Sequence, residues 1–300
     1  MSKVKSAIPV YDIYSVANTV HLHKEIVAEP FAAYLSTRAH LLHSHRHSFY
    51  HVVLFTAGAG THMIDFEQFT VRKGQIYFMA PGQVHRWNFE GDVDGYVINF
   101  SEKLFQSFLA ESQNLEQFPF FRSVAKDSVI NLTEATMATV SPLFDALIAE
   151  VSQSDSYSNS MICALLLNMF IKVSRTLASA SIGEVPAHSQ LMLHNFKKLV
   201  NQYYVDKKLP RDYAALLYIT PNHLNALCTN LLGQSAGDAI RDRVILEAKR
   251  LLVNASLSIS EIAYRLNFKD NSYFTRFFKK YTGITPENFR RSYVDGSLSN

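Results

Sequence analysis

Three hundred residues with 48% apolar and 18% charged side chains describe a folded chain of about two domains and exclude a disordered or fibrous one. The net charge of +3 conceals a division. Residues 1–188 hold 13 Lys+Arg against 17 Asp+Glu, a net of −4, whereas residues 189–300 hold 16 against 9, a net of +7, so the C-terminal third is built to face nucleic acid and the rest is not.

The first residues, MSKVKSAIPVYDIY, carry two lysines but no apolar run, so no signal peptide is expected. Residues 1–30 read as an arm or a first strand. From Phe31 to about Phe100 the pattern is strand-like: HSFYHVVLF, THMIDF, FTVRKG, QIYFMAPG and GYVINF are rich in β-branched and aromatic residues. Gly58, Gly60, Gly74, Pro81-Gly82, Gly91 and Gly95 punctuate them at turn spacing, which predicts a sandwich or small barrel.

Nine of the twelve histidines fall between His21 and His85. Strand alternation puts His43, His45, His47 and His51 on one face. The spacing His45-x-His47, then His51, then Gly58 resembles the first motif of the cupins, with His51 where a Glu is usual. Gly74 to His85 resembles a frayed second motif, one residue out of register. The resemblance implies a small β-barrel. With no acidic ligand in the usual place, neither a metal nor another cofactor is expected. His45, His47, His51, His85 and Trp87 are read as lining a small-molecule pocket, and Phe49, Tyr77 and Tyr96 as pocket or core.

From Ser101 the period becomes helical. A helix is predicted near Glu102, another from Thr133 to Val151, then a loop over Ser152–Ser160, then a helix over Met161–Leu177. The last has a wide apolar face that suits its own domain's core or a dimer interface. Its most apolar part, Met161–Ile171, is too short to span a bilayer. Cys163 and Cys228 lie far apart and read as buried thiols of a cytoplasmic protein. Ala178–Ser189, with its small residues, Gly183 and Pro186, reads as a linker.

The C-terminal part is written twice. Asn222–Arg241 aligns with Ser272–Arg291 at an offset of 50, and Asp212–Leu217 with Glu261–Leu266 at an offset of 49. The one-residue difference falls where a turn would sit, so each copy reads as a helix-turn-helix. In the second copy Ser258 and Glu261 form a capping-box pattern, Asn267 suits a left-handed turn, Asp270 or Asn271 caps the next helix, and Gly283 ends it. Phe274, Phe277, Phe278 and Tyr281 are predicted to face the core.

The run SISEIAYRLNFKDNSYFTRFFKKYTGITPENFR resembles the second module of the AraC-type family of bacterial transcription regulators, many of which carry a cupin-like sensor domain. The resemblance covers about Lys197 to Arg291. It implies two helix-turn-helix modules joined by a helix over Ala236–Val253. Carried over, Ser272, Tyr273 and Arg276 would meet base edges, and Lys279 and Lys280 phosphates. In the first module Asn222, His223 and Asn225, with Thr229 and Asn230, are the outward polar residues. There Ala226, Cys228 and Thr229 replace the family's Arg and Phe-Lys, Tyr218 stands where Gly is usual, and weaker readout is expected. On the joining helix Leu246, Leu251 and Leu252 read as core, with Arg243, Lys249 and Arg250 on phosphate or plain surface.

The expected architecture is therefore α+β and multidomain. A cupin-like sensing and dimerisation domain spans residues 1–177, a linker 178–189, and an all-α DNA-binding domain 190–300. The function implied is a cytoplasmic, effector-controlled transcription regulator, an activator rather than an enzyme. Its expected partners are double-stranded DNA, an unidentified small molecule, a second copy of the chain and RNA polymerase, with no membrane. A metal-dependent cupin enzyme fused to a DNA-binding domain is the alternative, and a sensor fold that only dimerises is a third reading.

Overall fold

The computed structural model describes residues 8–17, 23–106, 115–122, 124–180, 186–254 and 256–294. The chain divides into two compact units, residues 9–182 and, for the most part, 183–300.

The first unit begins with strand β1 (Val10–Tyr11), a helical turn α1 (Ile13–Val16), strand β2 (Ile26–Pro30), helix α2 (Phe31–Ser36) and a 3-10 turn at Ala39–Leu42. Strands β3 (His45–His47), β4 (Tyr50–Ile64), β5 (Glu67–Val71), β6 (Gln75–Met79) and β7 (Val84–Phe100) follow. After α3 (Lys103–Gln106) come β8 (Val129–Asn131) and helices α4 (Glu134–Glu150) and α5 (Ser158–Ala180). The sheet runs β1-β3-β7-β4-β6-β8, with β2 also on β7 and β5 also on β4. The expected barrel is corrected in one respect: the path ends at β1 and β8, so the sheet is an open, cupin-like roll.

Two predicted strands, HSFYHVVLF and THMIDF, merge into the long β4, and GYVINF is only the last part of the long β7. Gly58, Gly60, Gly91 and Gly95, expected as turns, lie inside these strands. Gly95 shows why a glycine is needed there: at φ 152°, any Cβ would collide with the Leu54 carbonyl across the ladder. The β4–β7 register shifts between Phe55 and Ala57 and again between Ala57 and Ala59, as bulges do. The turn from β4 into β5 is made by Asp65 and Phe66, both at positive φ.

Alternation sorts the sheet's side chains onto two apolar faces. On one, Val52, Leu54, Phe78, Ile98 and Phe100 pack with Phe144 and Leu147 of α4 and with Ile162, Leu166, Met169, Phe170 and Val173 of α5. The other holds Val27, Phe31, Val53, Phe55, Tyr77, Trp87 and Val97. Helix α4 matches its predicted limits. Thr133 caps it through a bond from the Thr136 N–H, and Val151 closes it. Helix α5 is longer than predicted, and Ser158–Leu177 is apolar and long enough to cross a bilayer, which corrects the sequence-based length argument. Its apolar stripe is a wall of this core, so it packs as a core helix.

The second unit consists of α6 (Ala187–Tyr203), α7 (Pro210–Leu216), α8 (Pro221–Leu232), α9 (Ala236–Leu252), α10 (Ile259–Arg265), α11 (Asn271–Thr282) and α12 (Pro286–Val294). The predicted linker is shortened at both ends by α5 and α6, and its residues 181–185 lie outside the described residues. Phe196, Tyr213, Leu224, Cys228 and Ile240 build the core of the first module. Ile262, Ala263, Leu266, Phe274, Phe278 and Phe289 are buried in the second. On α9 Ile240, Val244, Ile245, Ala248 and Leu252 are among the buried residues; Leu246 and Leu251, expected in the core, are only half-buried.

The duplicate turns differ as the offsets require. Tyr218 (φ 56°) and Asn267 (φ 54°) occupy the same left-handed position. One residue separates Tyr218 from the capping Thr220, and two separate Asn267 from the capping Asp270. Gly233 and Gly283 close α8 and α11 in left-handed conformation. Ser258 and Glu261 form a complete capping box.

Candidate nucleic-acid interface and sensor interior

Helix α11 buries Phe274 and Phe278 and leaves Ser272, Tyr273, Arg276, Lys279 and Lys280 exposed. Its first turn is fixed by the Asp270 carboxylate, which accepts the Tyr273 N–H at 2.7 Å. The result is one helix face with three cations and two hydroxyls, a donor-rich surface suited to phosphates and guanine edges. Phe277 is half-buried. Tyr281 departs from the expectation of a core residue: it is 42% exposed, with the Arg241 guanidinium 5.1 Å from its ring centroid.

Helix α8 buries Leu224, Leu227 and Cys228 and exposes Asn222, His223, Ala226, Thr229 and Asn230. Asn225 is corrected. Its Oδ1 accepts the N–H of Ala236 at 3.0 Å, so this half-buried side chain caps the start of α9. Arg243 and Arg250 are corrected likewise. Arg243 lies 4.0 Å from the Tyr204 ring centroid and bonds Asn201 and Glu247, each at 3.0 Å. Arg250 is buried and pairs with the same Glu247 at 3.8 Å. Lys249 is half-buried, 5.9 Å from the Phe289 ring centroid.

In the first unit five histidines converge on the inner face of the sheet. His45, His47, His51, His62 and His85 are all buried. Nε2 of His47 lies 3.1 Å from Nε2 of His45 and 2.8 Å from Nε2 of His85. His62 Nε2 is 3.0 Å from His85 Nδ1. His51 Nδ1 donates to Asn99 Oδ1 at 2.6 Å, and the Asn99 amide donates to the Tyr34 hydroxyl at 3.1 Å. Burial pushes His45 and His51 down to about 4 and His47, His62 and His85 well below the ordinary imidazole range, so all five are neutral at pH 7. Trp87 packs against His85 and His51, at centroid distances of 4.8 and 5.5 Å. His43 leaves the predicted face: it is exposed, and its carbonyl accepts from His45 Nδ1 at 2.7 Å.

Residues 213–292 match a family model described as a helix-turn-helix domain, and residues 31–170 match one described as the AraC-like ligand binding domain. The chain belongs to the AraC-type family of transcription regulators. The HTH-type transcriptional activator RhaR of Cronobacter sakazakii is 26% identical over 249 residues, covering 83% of this chain and 87% of its own. That of Mannheimia succiniciproducens is 21% identical over 255 residues, with coverages of 83% and 87%. Unsaturated fatty acid bound ToxT from Vibrio cholerae aligns over 93% of this chain and 99% of its own at 13% identity, with a TM-score of 0.43.

In this AraC-type regulator the pocket residues read from sequence, His45, His47, His51, His85 and Trp87, come together on one face. Phe49 and Tyr77 join them there. Tyr96 does not; it packs on the opposite face, its ring 5.1 Å from Phe144. Sequence reasoning missed His62, Asn99 and Tyr34 as members of the histidine site. Asn99 is legible in retrospect, since it pairs directly with His51 in the β4–β7 ladder.

Proposed function

We propose that this chain is an effector-controlled transcription activator, acting in the cytoplasm as a homodimer on double-stranded DNA rather than as an enzyme. The observation that carries the reading is the exposed face of α11, where Ser272, Tyr273, Arg276, Lys279 and Lys280 stand outward from an aromatic core. Arg276 reads a guanine edge, Lys279 and Lys280 hold phosphates, and Asn222 and His223 of α8 supply a weaker second contact. Both helices pack on α9, which sets their spacing. The inner face of the sheet receives the effector beside Trp87. Met161 and Ile171, exposed on α5, supply the dimer contact. RNA polymerase is the downstream partner of such an activator.

Genome-wide mapping of sites bound by the full-length chain tests the central claim. A regulator yields recurrent sites near promoters that disappear with Arg276→Ala; diffuse binding that the substitution leaves unchanged sinks it. Because α4 and α5 also wall the sheet's core, deletion cannot test dimerisation. Met161→Glu with Ile171→Glu, followed by sedimentation, does, and an unchanged dimer would move the interface elsewhere.

A further inference from the structure

We propose that His45, His47 and His85 bind one divalent first-row transition-metal ion through three imidazole nitrogens on the inner face of the sheet. This reverses the expectation drawn from sequence and goes beyond the regulatory reading, on which it does not depend.

The ligand atoms are already gathered. One nitrogen from each ring lies within 4.8 Å of the other two, and all three rings are buried. Two of the separations, 3.1 and 2.8 Å, are those of His47 Nε2 from His45 and from His85. Nitrogens bound to zinc at roughly 2.0–2.1 Å stand about 3.3 Å apart in a tetrahedron, so two of the separations lie close to that value and ring rotation must draw the widest pair, within 4.8 Å, together. The backbone holds the set rigidly: His45 and His85 are direct cross-strand partners, and His47 follows two residues on, on the same side of β3.

At most one proton can lie among the three facing nitrogens. The His45 Nδ1 proton goes to the His43 carbonyl, which leaves His45 Nε2 as a bare lone pair. If His85 donates to His47 Nε2, the single lone pair of that nitrogen is taken and the lone pair of His45 faces it with no proton between them. If His47 donates instead, its one proton has two acceptors to serve. A cation meets three lone pairs at once. Neighbouring groups show the same deficit. His51 lies against the trio, 4.9 Å from His47 and 5.4 Å from His85 between centroids. Its Nδ1 is tied to Asn99, and its Nε2 is buried with no hydrogen-bond partner. His47 Nδ1 and His62 Nδ1 are buried without partners as well. The bonds from His43 and from the Asn99–Tyr34 pair fix tautomers, as the outer contacts of metal-binding imidazoles do.

The donor set also selects the ion. Three neutral imidazoles, with no carboxylate in the group, suit zinc, iron, cobalt, nickel or copper and do not suit magnesium or calcium. A surface depression bounded by Val10, Arg46, Ser48, Pro81 and Gly82 borders His47.

The test uses untagged full-length protein, stripped with a chelator and titrated with Co2+, then with Zn2+ in competition. The expected result is one equivalent of Co2+ with a visible ligand-field band, displaced by one equivalent of Zn2+, and a melting temperature raised by either ion. His47→Gln and His85→Gln should each weaken binding at least tenfold, with the folded circular-dichroism spectrum retained. His188→Ala, at an exposed histidine of the other unit, should leave it unchanged. Should one variant fail to fold, the other and the melting shift of the unaltered chain still decide. Substoichiometric Co2+ without a visible band, or full binding retained by folded His47→Gln and His85→Gln, overturns the proposal.

Discussion

Asn225 and Arg276 look alike in sequence, as outward polar residues on the second helix of a module, yet the structure makes Asn225 a cap and leaves Arg276 exposed. Asn225 Oδ1 accepts the N–H of Ala236, a fully buried residue at the first position of α9. Asn225→Ala therefore leaves a buried donor unpaired at a helix start, at a cost of about 1–3 kcal/mol. A loss of that size lowers the melting temperature of a domain of this size by several degrees or more. Arg276 is exposed on α11, so Arg276→Ala should leave stability within about 0.5 kcal/mol of its starting value. It should instead remove about 1–3 kcal/mol of DNA affinity, roughly 5- to 150-fold, and relax the preference for one base position. The assay pairs urea denaturation of each variant with fluorescence anisotropy on the mapped duplex and a scrambled one, at one fixed salt concentration. Asn225→Ala should shift the denaturation midpoint and bind both duplexes with the original ratio. The reasoning fails if Asn225→Ala changes that ratio at unchanged stability, or if Arg276→Ala weakens both duplexes equally.

Ser258→Ala removes one half of the capping box and should cost about 1 kcal/mol in urea denaturation; no shift would mean that α10 is held by packing alone. Phe170→Ala should cost about 3–5 kcal/mol in the first unit, since its ring lies 5.1 Å from Phe121 and 5.4 Å from Phe118; a loss under 1 kcal/mol would contradict the packing. Tyr218→Gly should stabilise the second unit by about 1 kcal/mol, because the side chain is 96% exposed and the backbone sits at φ 56°; destabilisation would show that the ring makes a contact of its own. In chelator-stripped protein His45 and His51 titrate near 4 when folded and near 6.5 when unfolded, so the unfolded chain takes up the protons first as pH falls. Stability should be level above about pH 6.5 and fall below it by up to about 1.4 kcal/mol per pH unit for each group; identical urea midpoints at pH 7.5 and pH 5 would refute this.

The DNA-binding unit was legible because its signals are local. A cap, a left-handed turn residue and a glycine stop act within a few residues of the positions they control, and the duplication let each copy check the other. Even the single extra residue was readable, as Phe268-Lys269 standing where the first module has Ile219 alone. What was not legible there involved partners distant in sequence. The bond from Asn225 to Ala236 depends on how α8 meets α9, and the burial of Arg250 depends on Glu247 being shared with Arg243. Outward position on a helical wheel does not tell a free side chain from one spent on a neighbouring element.

The histidine site was only partly legible, and one strand explains why. His51 and His62 are eleven residues apart, so strict alternation along β4 puts them on opposite faces. They share a face because the bulged stretch between Phe55 and Ala59 puts one extra residue into β4 between Phe55 and Ala57, where Phe55 pairs with Gly95 and Ala57 with Asp94. Strand β7 slips by an even number over the same region, from Asp94 to Glu90 against Ala57 to Ala59, and keeps its parity. That is why His85, Trp87, Val97 and Asn99 all stay on the inner face. The glycines read as turns are thus part of what brings His62 to His85. Gly58 and Gly60 lie at φ 123° and 125°, and a side chain at either would strike β7 at Val93 or at Asn88 and Phe89. A larger residue at Gly60 would therefore push β4 and β7 apart two residues before His62, where that strand pair carries His62 and His85.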